Sequence, residues 1–144
     1  MIPTRLPHAL LSLRLGVLVV MFIWTLDKFV RPEHTAAVFK NFYLIGGIGS
    51  AASYIIGTLQ AIIVAAFALG FKKRFSYGLI LLLHGVSTFS SFRQYLNPWE
   101  GANILFFAAW PMLAAIVALY ILREQDTLLS IDFRMKEQEI QSND

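Results

Sequence analysis

Four polar side chains recur along the third apolar stretch of the chain: His84, Ser87, Thr88 and Ser91. Their spacing of three or four residues places them on one face of a helix, the polar face. An imidazole beside hydroxyls can bind a ligand or carry a proton, because histidine titrates near neutral pH. The same face can instead hydrogen-bond across a helix interface. A self-contained hydrolase is not predicted, since no third group is placed to orient the histidine for a serine nucleophile.

Another polar group, Gln60, follows small residues at four-residue spacing in the preceding apolar stretch. Gly49, Ser53 and Gly57 would let a neighbouring helix approach closely, which directs Gln60 into a packed interface. At 1.5 Å per residue, Gln60 and His84 each lie about 14–15 Å from the same end of their helices. The two side chains are therefore predicted at a similar depth, either as a ligand or proton site or as interhelical hydrogen-bond partners.

The opposite ends of these helices carry charged and aromatic side chains. Asp27 and Lys28 close the first apolar stretch, Arg93 closes the third, and Trp24 lies one turn before Asp27. Together with Gln60 and the polar face, they predict a polar, aromatic-lined ligand chamber that opens on this side. Each feature also has a simpler interpretation, namely an ion pair that fixes the helix ends and the interfacial aromatic belt of membrane proteins.

The composition indicates whether these helices lie in water or in a lipid bilayer. Of the 144 residues, 57% are hydrophobic and 15% are charged, and the mean hydropathy is +0.62. Soluble domains carry about 25% charged residues, so a chain this apolar is predicted to be an integral membrane protein. It contains no cysteine, which excludes a disulfide framework and an iron–sulfur cluster held by its own thiolates.

Four stretches reach the roughly 20 apolar residues that a transmembrane helix needs: residues 10–30, 44–70, 75–94 and 102–122. The short connectors between them predict an all-α, four-transmembrane-helix bundle over residues 1–122. The connector at 32–43 begins with proline and carries apolar residues, which predicts a short surface helix. Residues 123–144 are predicted to be a polar cytoplasmic tail, partly disordered.

Basic residues are divided unequally between the two sides of such a bundle. The side with both termini carries Arg5, Arg14, Lys72, Lys73, Arg74, Arg123, Arg134 and Lys136, and the other side carries Lys28, Arg31, Lys40 and Arg93. Because cytoplasmic loops are enriched in Lys and Arg, both termini are predicted in the cytoplasm, with the chain in the plasma (inner) membrane. This topology and anionic lipid head groups account for the basic charge without a nucleic-acid partner. The three histidines fall at different depths, so no metal site is predicted.

Short segments at the helix ends resemble the DoxX/DoxX-like family of small four-helix integral membrane proteins. They are Arg14–Gly16, the run Trp24–Pro32 with its Lys-Phe pair, Ala68–Arg74 with its Leu-Gly pair, and Leu128–Asp132. The resemblance spans about residues 10–132 and implies a four-helix membrane bundle. The family often has glutamate where Gln60 aligns, and an amide cannot ionise, which weakens a proton-carrying role at this position.

The resemblance implies an accessory membrane subunit. DoxX-type proteins include a membrane subunit of a thiosulfate:quinone oxidoreductase and a membrane anchor for oxidative-stress enzymes, and distant relatives assist the assembly of other membrane proteins. This chain is accordingly expected to lie among membrane lipids, to dock a redox partner or to form a homo-oligomer. Quinone is its candidate ligand, with His84 as a hydrogen-bond partner for a quinone carbonyl, and no covalently bound cofactor is expected. Two alternatives stay open: a small-molecule carrier, and an assembly or structural protein that packs through the Gly49/Ser53/Gly57 face.

Overall fold

The computed structural model describes residues 5–142, and within this range every regular element is a helix. The elements are α1 (Leu6–Val30), α2 (Pro32–Phe42), α3 (Ser50–Ala68), α4 (Lys73–Ser90), α5 (Phe92–Leu96), a 3₁₀ helix (Asn103–Ala108), α6 (Ala109–Ile121) and α7 (Ile131–Ser142). The all-α class predicted from the sequence is therefore confirmed.

Three helical segments are long and apolar enough to cross a membrane: α1, α3 and Asn103–Ile121, which joins the 3₁₀ helix to α6. Their surfaces expose large apolar side chains, among them Val19 and Ile62, as expected of an all-α membrane protein. The 18-residue α4 is less apolar, because it begins with two basic residues and contains His84 and several hydroxyls.

Four helices form a ring of neighbours around one core. α1 packs against α3 and α6, and α4 packs against the same two helices. The side chains at the centre of the ring are fully buried: Phe67, Tyr77, Ile80, Ile116 and Leu119. Because α4 closes this ring, its polar side is turned towards other helices.

Proline and glycine set several helix ends. Pro32 ends α1 and begins α2, since proline lacks a backbone donor but suits a first helical position. A helix is present over Pro32–Phe42, within the segment 32–43 predicted to be helical. Gly70 follows α3 with a φ of +57°, and a Cβ there would lie 2.7 Å from Nη1 of Arg14. Glycine at this position therefore allows the turn and also leaves room for the arginine.

Two helices, α3 and α4, are shorter than the apolar stretches that predicted them, whereas α1 begins four residues before its predicted stretch. Residues 44–49, the start of the second stretch, are not helical, and α3 begins only at Ser50. Three of those six residues are glycine, and each glycine costs about 1 kcal/mol in a helix interior. The third stretch is divided at Ser91, so that Phe92–Leu96 forms the separate helix α5.

The small-residue face of α3 packs against α1 of the same chain. The Ser53 hydroxyl donates to the Lys28 carbonyl at 2.9 Å, and a Cβ on Gly57 would lie 3.0 Å from the Phe29 ring. Ser53 and Gly57 are both buried. The close approach predicted from the spacing therefore occurs within the bundle.

Candidate functional site

His84 lies inside the bundle with one ring nitrogen satisfied and the other free. It is 1% exposed, and its Nε2 lies 3.0 Å from the carbonyl oxygen of Ala109 on α6. A carbonyl only accepts hydrogen bonds, so Nε2 carries the hydrogen and Nδ1 presents a lone pair. Nδ1 is buried without a partner among the described residues. Buried polar atoms are nearly always paired, so this nitrogen is an acceptor available to a ligand.

Trp24 covers His84 from α1. The two ring centroids are 5.8 Å apart, and the indole is 40% exposed at the bundle surface. Since the imidazole itself is almost completely buried, a ligand reaches it only when surrounding side chains such as Trp24 move. Trp24, which the sequence predicted in the chamber lining, is therefore in contact with His84.

The Thr88 and Ser91 hydroxyls of the polar face donate hydrogen bonds to backbone carbonyls of the preceding turn. Thr88 donates to the His84 carbonyl at 2.8 Å, and Ser91 donates to the Ser87 carbonyl at 3.1 Å. Such bonds to the preceding turn satisfy a hydroxyl in an apolar surrounding. Thr88 and Ser91 are buried and Ser87 is half-buried. Among the buried side chains of this face, the His84 ring is the one with an unpaired polar atom.

Gln60 is buried at a different helix contact. Its amide nitrogen donates to the Thr25 hydroxyl at 3.0 Å, and that hydroxyl donates to the Met21 carbonyl at 2.7 Å. These bonds join α3 to α1, whereas His84 joins α4 to α6. The geometry thus favours the interhelical interpretation for Gln60, and its inward-facing partner on α1 is Thr25.

The three charged residues predicted at the chamber mouth do not converge. Asp27 on α1 pairs with Arg31, the residue between α1 and α2, and with Nδ1 of His34 on α2, which ties these two helices together. The Lys28 ammonium donates to the Trp24 carbonyl at 3.1 Å. Arg93 is exposed beyond the end of α4. The ion pair at this end therefore involves partners other than Lys28 and Arg93.

Aromatic side chains surround this end of the bundle. The Tyr95 ring lies 5.2 Å from Phe107 and 5.8 Å from Trp110, measured between centroids, and burial raises the pKa of the Tyr95 phenol. Trp99 is 85% exposed. Exposed indoles at the end of apolar helices are typical of an interfacial belt, and Trp24 is the aromatic residue in contact with His84.

A second polar cluster, the Arg14–Tyr77–Asp126 cluster, lies at the Lys72–Arg74 end of the bundle. Arg14 is 1% exposed and Asp126 is fully buried, with 3.4 Å between Nη1 and Oδ2. The Tyr77 hydroxyl donates to Asp126 Oδ2 at 2.7 Å, and Arg14 donates to the Tyr77 oxygen at 3.1 Å. Arg14 also donates to the Leu128 carbonyl at 2.5 Å. A buried charge requires such partners, because desolvation is expensive.

The segment after α6 closes this end of the bundle. Lys73 donates its ammonium to the Asp126 carbonyl at 3.1 Å, and the Ile131 amide donates to the Leu69 carbonyl at 2.9 Å. The Asp132 carboxylate accepts the Lys72 and Lys73 amides at 2.7 and 2.9 Å, which caps the start of α4. Residues 126–132 thus belong to the packed bundle, and α7 extends beyond them.

Sequence reasoning did not single out the Arg14–Tyr77–Asp126 cluster, although one signal was present. Arg14 shares the buried face of α1 with Leu10, Val17, Met21 and Thr25. An arginine in line with apolar residues inside a transmembrane stretch is costly and calls for an acidic partner. That partner, Asp126, is 112 positions further along the chain, and no local pattern identifies it.

Comparisons with known proteins leave the site to be interpreted from its geometry. The chain matches no protein-family model, no curated protein and no solved structure in these comparisons. Among residues 5–142 no three histidine or acidic side chains are grouped so that they could hold a metal ion. The free Nδ1 of His84 is accordingly the feature from which a ligand can be argued.

Proposed function

We propose that the protein spans the membrane four times, through α1, α3, α4 and Asn103–Ile121, with both termini in the cytoplasm of the plasma (inner) membrane. The packing of α4 supports its inclusion, because its polar residues face the other helices. Its outward side chains are large and apolar: Phe75, Leu79, Leu82, Val86 and Phe89. An amphipathic helix of this kind can lie in lipid when its polar side is enclosed by neighbours. The basic Lys72–Arg74 turn then lies on the cytoplasmic side, as cytoplasmic loops prefer.

Within this arrangement the protein acts as a DoxX-like accessory subunit that binds the reduced form of a quinone for a partner oxidoreductase. The observation that carries this proposal is the buried, unpaired Nδ1 of His84. The chain contains no cysteine and none of its described residues form a metal site. In this proposal the partner supplies the flavin or metal that takes the electrons.

The hydrogen-bond roles of His84 favour a quinol over a quinone. A bound quinone–quinol pair supplies transfer of two electrons and two protons. The Ala109 carbonyl holds the hydrogen of His84 on Nε2, so Nδ1 can accept a hydrogen bond but cannot donate one. A quinol hydroxyl has a hydrogen to donate, whereas a quinone carbonyl has none. The carbonyl contact expected from the sequence is thus replaced in this proposal by a hydroxyl contact.

Three residues have separate roles in this binding mode. His84 accepts the hydroxyl hydrogen, the Ala109 carbonyl fixes the tautomer, and Trp24 covers the ring and limits the access of water. A ligand that leaves the acceptor unpaired loses about 1–3 kcal/mol, the usual cost of an unsatisfied buried polar group. Quinol should therefore bind about fivefold or more tightly than the corresponding quinone, since 1.4 kcal/mol corresponds to about tenfold in affinity.

The test compares binding of a short-chain benzoquinol and its benzoquinone to the purified protein in lipid nanodiscs. His84→Ala should abolish the preference for the quinol. Thr58→Val is the matched control, because the exposed Thr58 hydroxyl bonds only to the Tyr54 carbonyl on its own helix. Equal affinity for both ligands, or a preference that survives His84→Ala, would reject the proposal. Mass spectrometry of the protein extracted from its own membranes would identify a retained quinol or oxidoreductase.

A further inference from the structure

A lateral groove of about 830 Å³ runs along the outside of the bundle between α4 and α6. Its floor and walls are apolar, with Leu82, Gly85 and Phe89 from α4 and Leu113 and Val117 from α6. The groove lies on a different side of α4 from His84, which is not among its lining residues. It therefore constitutes a feature separate from the quinol site.

The length of the groove matches one leaflet of a bilayer. Its α4 lining extends from Leu81 to Ser90, about 14 Å at 1.5 Å per residue. Half of a hydrocarbon core of about 30 Å is about 15 Å. Phe42 and Phe92 line the groove as well. They lie at its far end, because Phe92 follows the end of α4 and Phe42 stacks on Phe106 in the 3₁₀ helix that precedes α6. An extended acyl chain fits these dimensions and this apolar lining.

A cation lies at the same end of the groove. The Arg93 guanidinium carbon is 5.9 Å from the centroid of the Phe92 ring, and Phe92 lines the groove. Arg93 is exposed, and none of the ion pairs formed within residues 5–142 includes it. A basic side chain at the level of the head groups attracts an anionic lipid.

We propose that this groove holds one acyl chain of an anionic phospholipid, with the phosphate of the lipid at Arg93. The site selects a lipid by two separable features, an apolar recess for the chain and a positive charge for the head group. Gly85 keeps the recess open, because a side chain at this position would fill it. The proposal rests on the membrane-spanning arrangement of α4 proposed above, and it is independent of quinol binding.

The experiment uses the full chain in vesicles of phosphatidylcholine and phosphatidylglycerol that contain a trace of photoactivatable phosphatidylglycerol. After irradiation, mass spectrometry locates and quantifies the labelled peptides. Labelling should concentrate on α4 and α6 and should fall severalfold in Gly85→Leu. A Cβ on Gly85 lies 3.9 Å from Leu113 Cδ1 and one on Gly16 meets nothing within 4 Å. Gly16→Leu is therefore the matched control on an open helix surface, and its labelling should be unchanged.

The charge is tested with Arg93→Gln, which should lower labelling by phosphatidylglycerol about fivefold, the factor that corresponds to roughly one basic residue at an anionic surface. Labelling by photoactivatable phosphatidylcholine should not change. Lys136→Gln on α7 is the charge control. Val86→Trp fills the groove from an exposed position and replaces Gly85→Leu if that variant does not fold.

Two results would overturn the proposal. Labelling that Gly85→Leu and Val86→Trp both leave unchanged would show that the lipid lies elsewhere. A cross-linked dimer that the same substitutions abolish would assign the groove to a second copy of the chain. Absence of labelling in the unsubstituted chain as well as in every variant would instead show that the chain does not insert as proposed, which separates failure of the membrane topology from failure of the lipid site.

Discussion

Removing the Asp126 carboxylate should destabilise the protein by about 3–5 kcal/mol, the usual cost of breaking a buried ion pair from one side. In Asp126→Ala, the Arg14 guanidinium stays buried and keeps only the Tyr77 hydroxyl and carbonyl oxygens as partners. Its Nε already has no partner among the described residues. The Tyr77 hydroxyl also loses its acceptor, but this second loss is not simply additive, because the groups share one network.

Two substitutions of Asp126 distinguish the loss of its charge from the loss of the whole carboxylate. Asp126→Asn keeps an oxygen that Tyr77 can donate to and loses only the charge, so it should be less destabilising than Asp126→Ala. Glu124→Gln is the matched control, because Glu124 is a 71% exposed carboxylate 3.8 Å from Arg123. Exposed pairs contribute about 0–1 kcal/mol. The assay is reversible unfolding in mixed detergent–lipid micelles, followed by tryptophan fluorescence and circular dichroism.

A double-mutant cycle shows whether the loss comes from the unpaired charge. Arg14→Met with Asp126→Ala removes both charges, and replacement of a whole buried pair by apolar groups is often nearly neutral. The double variant should therefore be more stable than Asp126→Ala alone, with a coupling energy of about 0.5–3 kcal/mol. A cost below about 1 kcal/mol for Asp126→Ala, or a double variant that loses the sum of both single losses, would refute the reasoning.

Three further substitutions test the packing around these sites. Asp132→Ala should cost about 1 kcal/mol by uncapping α4, seen as faster amide exchange in its first turn. Gly70→Ala should cost about 2 kcal/mol or more in the same unfolding assay, because the residue has a positive φ and its Cβ would press on Ser130 at 3.0 Å. Gly57→Leu should cost about 1–3 kcal/mol by overpacking the α1–α3 contact, whereas Gly16→Leu, with open space around it, should be close to neutral. A neutral result at Gly70 or Gly57 would contradict the packing described.

The polar face of α4 shows what periodicity can predict. His84, Thr88 and Ser91 are all buried, as the three- and four-residue spacing indicated, because large apolar side chains occupy the outward side of that helix. On α1, Thr25 is buried, and Trp24, which is predicted to line the chamber, is 40% exposed. α1 is apolar on nearly all sides, so its pattern alone hardly distinguishes one face from another.

The sequence by itself determined the helical class, the apolar segments and the small-residue face of α3, because these follow from composition and local spacing. The tertiary structure determined which groups pair with the buried polar side chains. The tautomer of His84 depends on a carbonyl 25 residues away, and the charge of Arg14 is balanced by an aspartate in the segment that follows α6. A buried polar atom is satisfied by whichever group the packing brings within about 3 Å, and such a distance exists only once the helices have assembled.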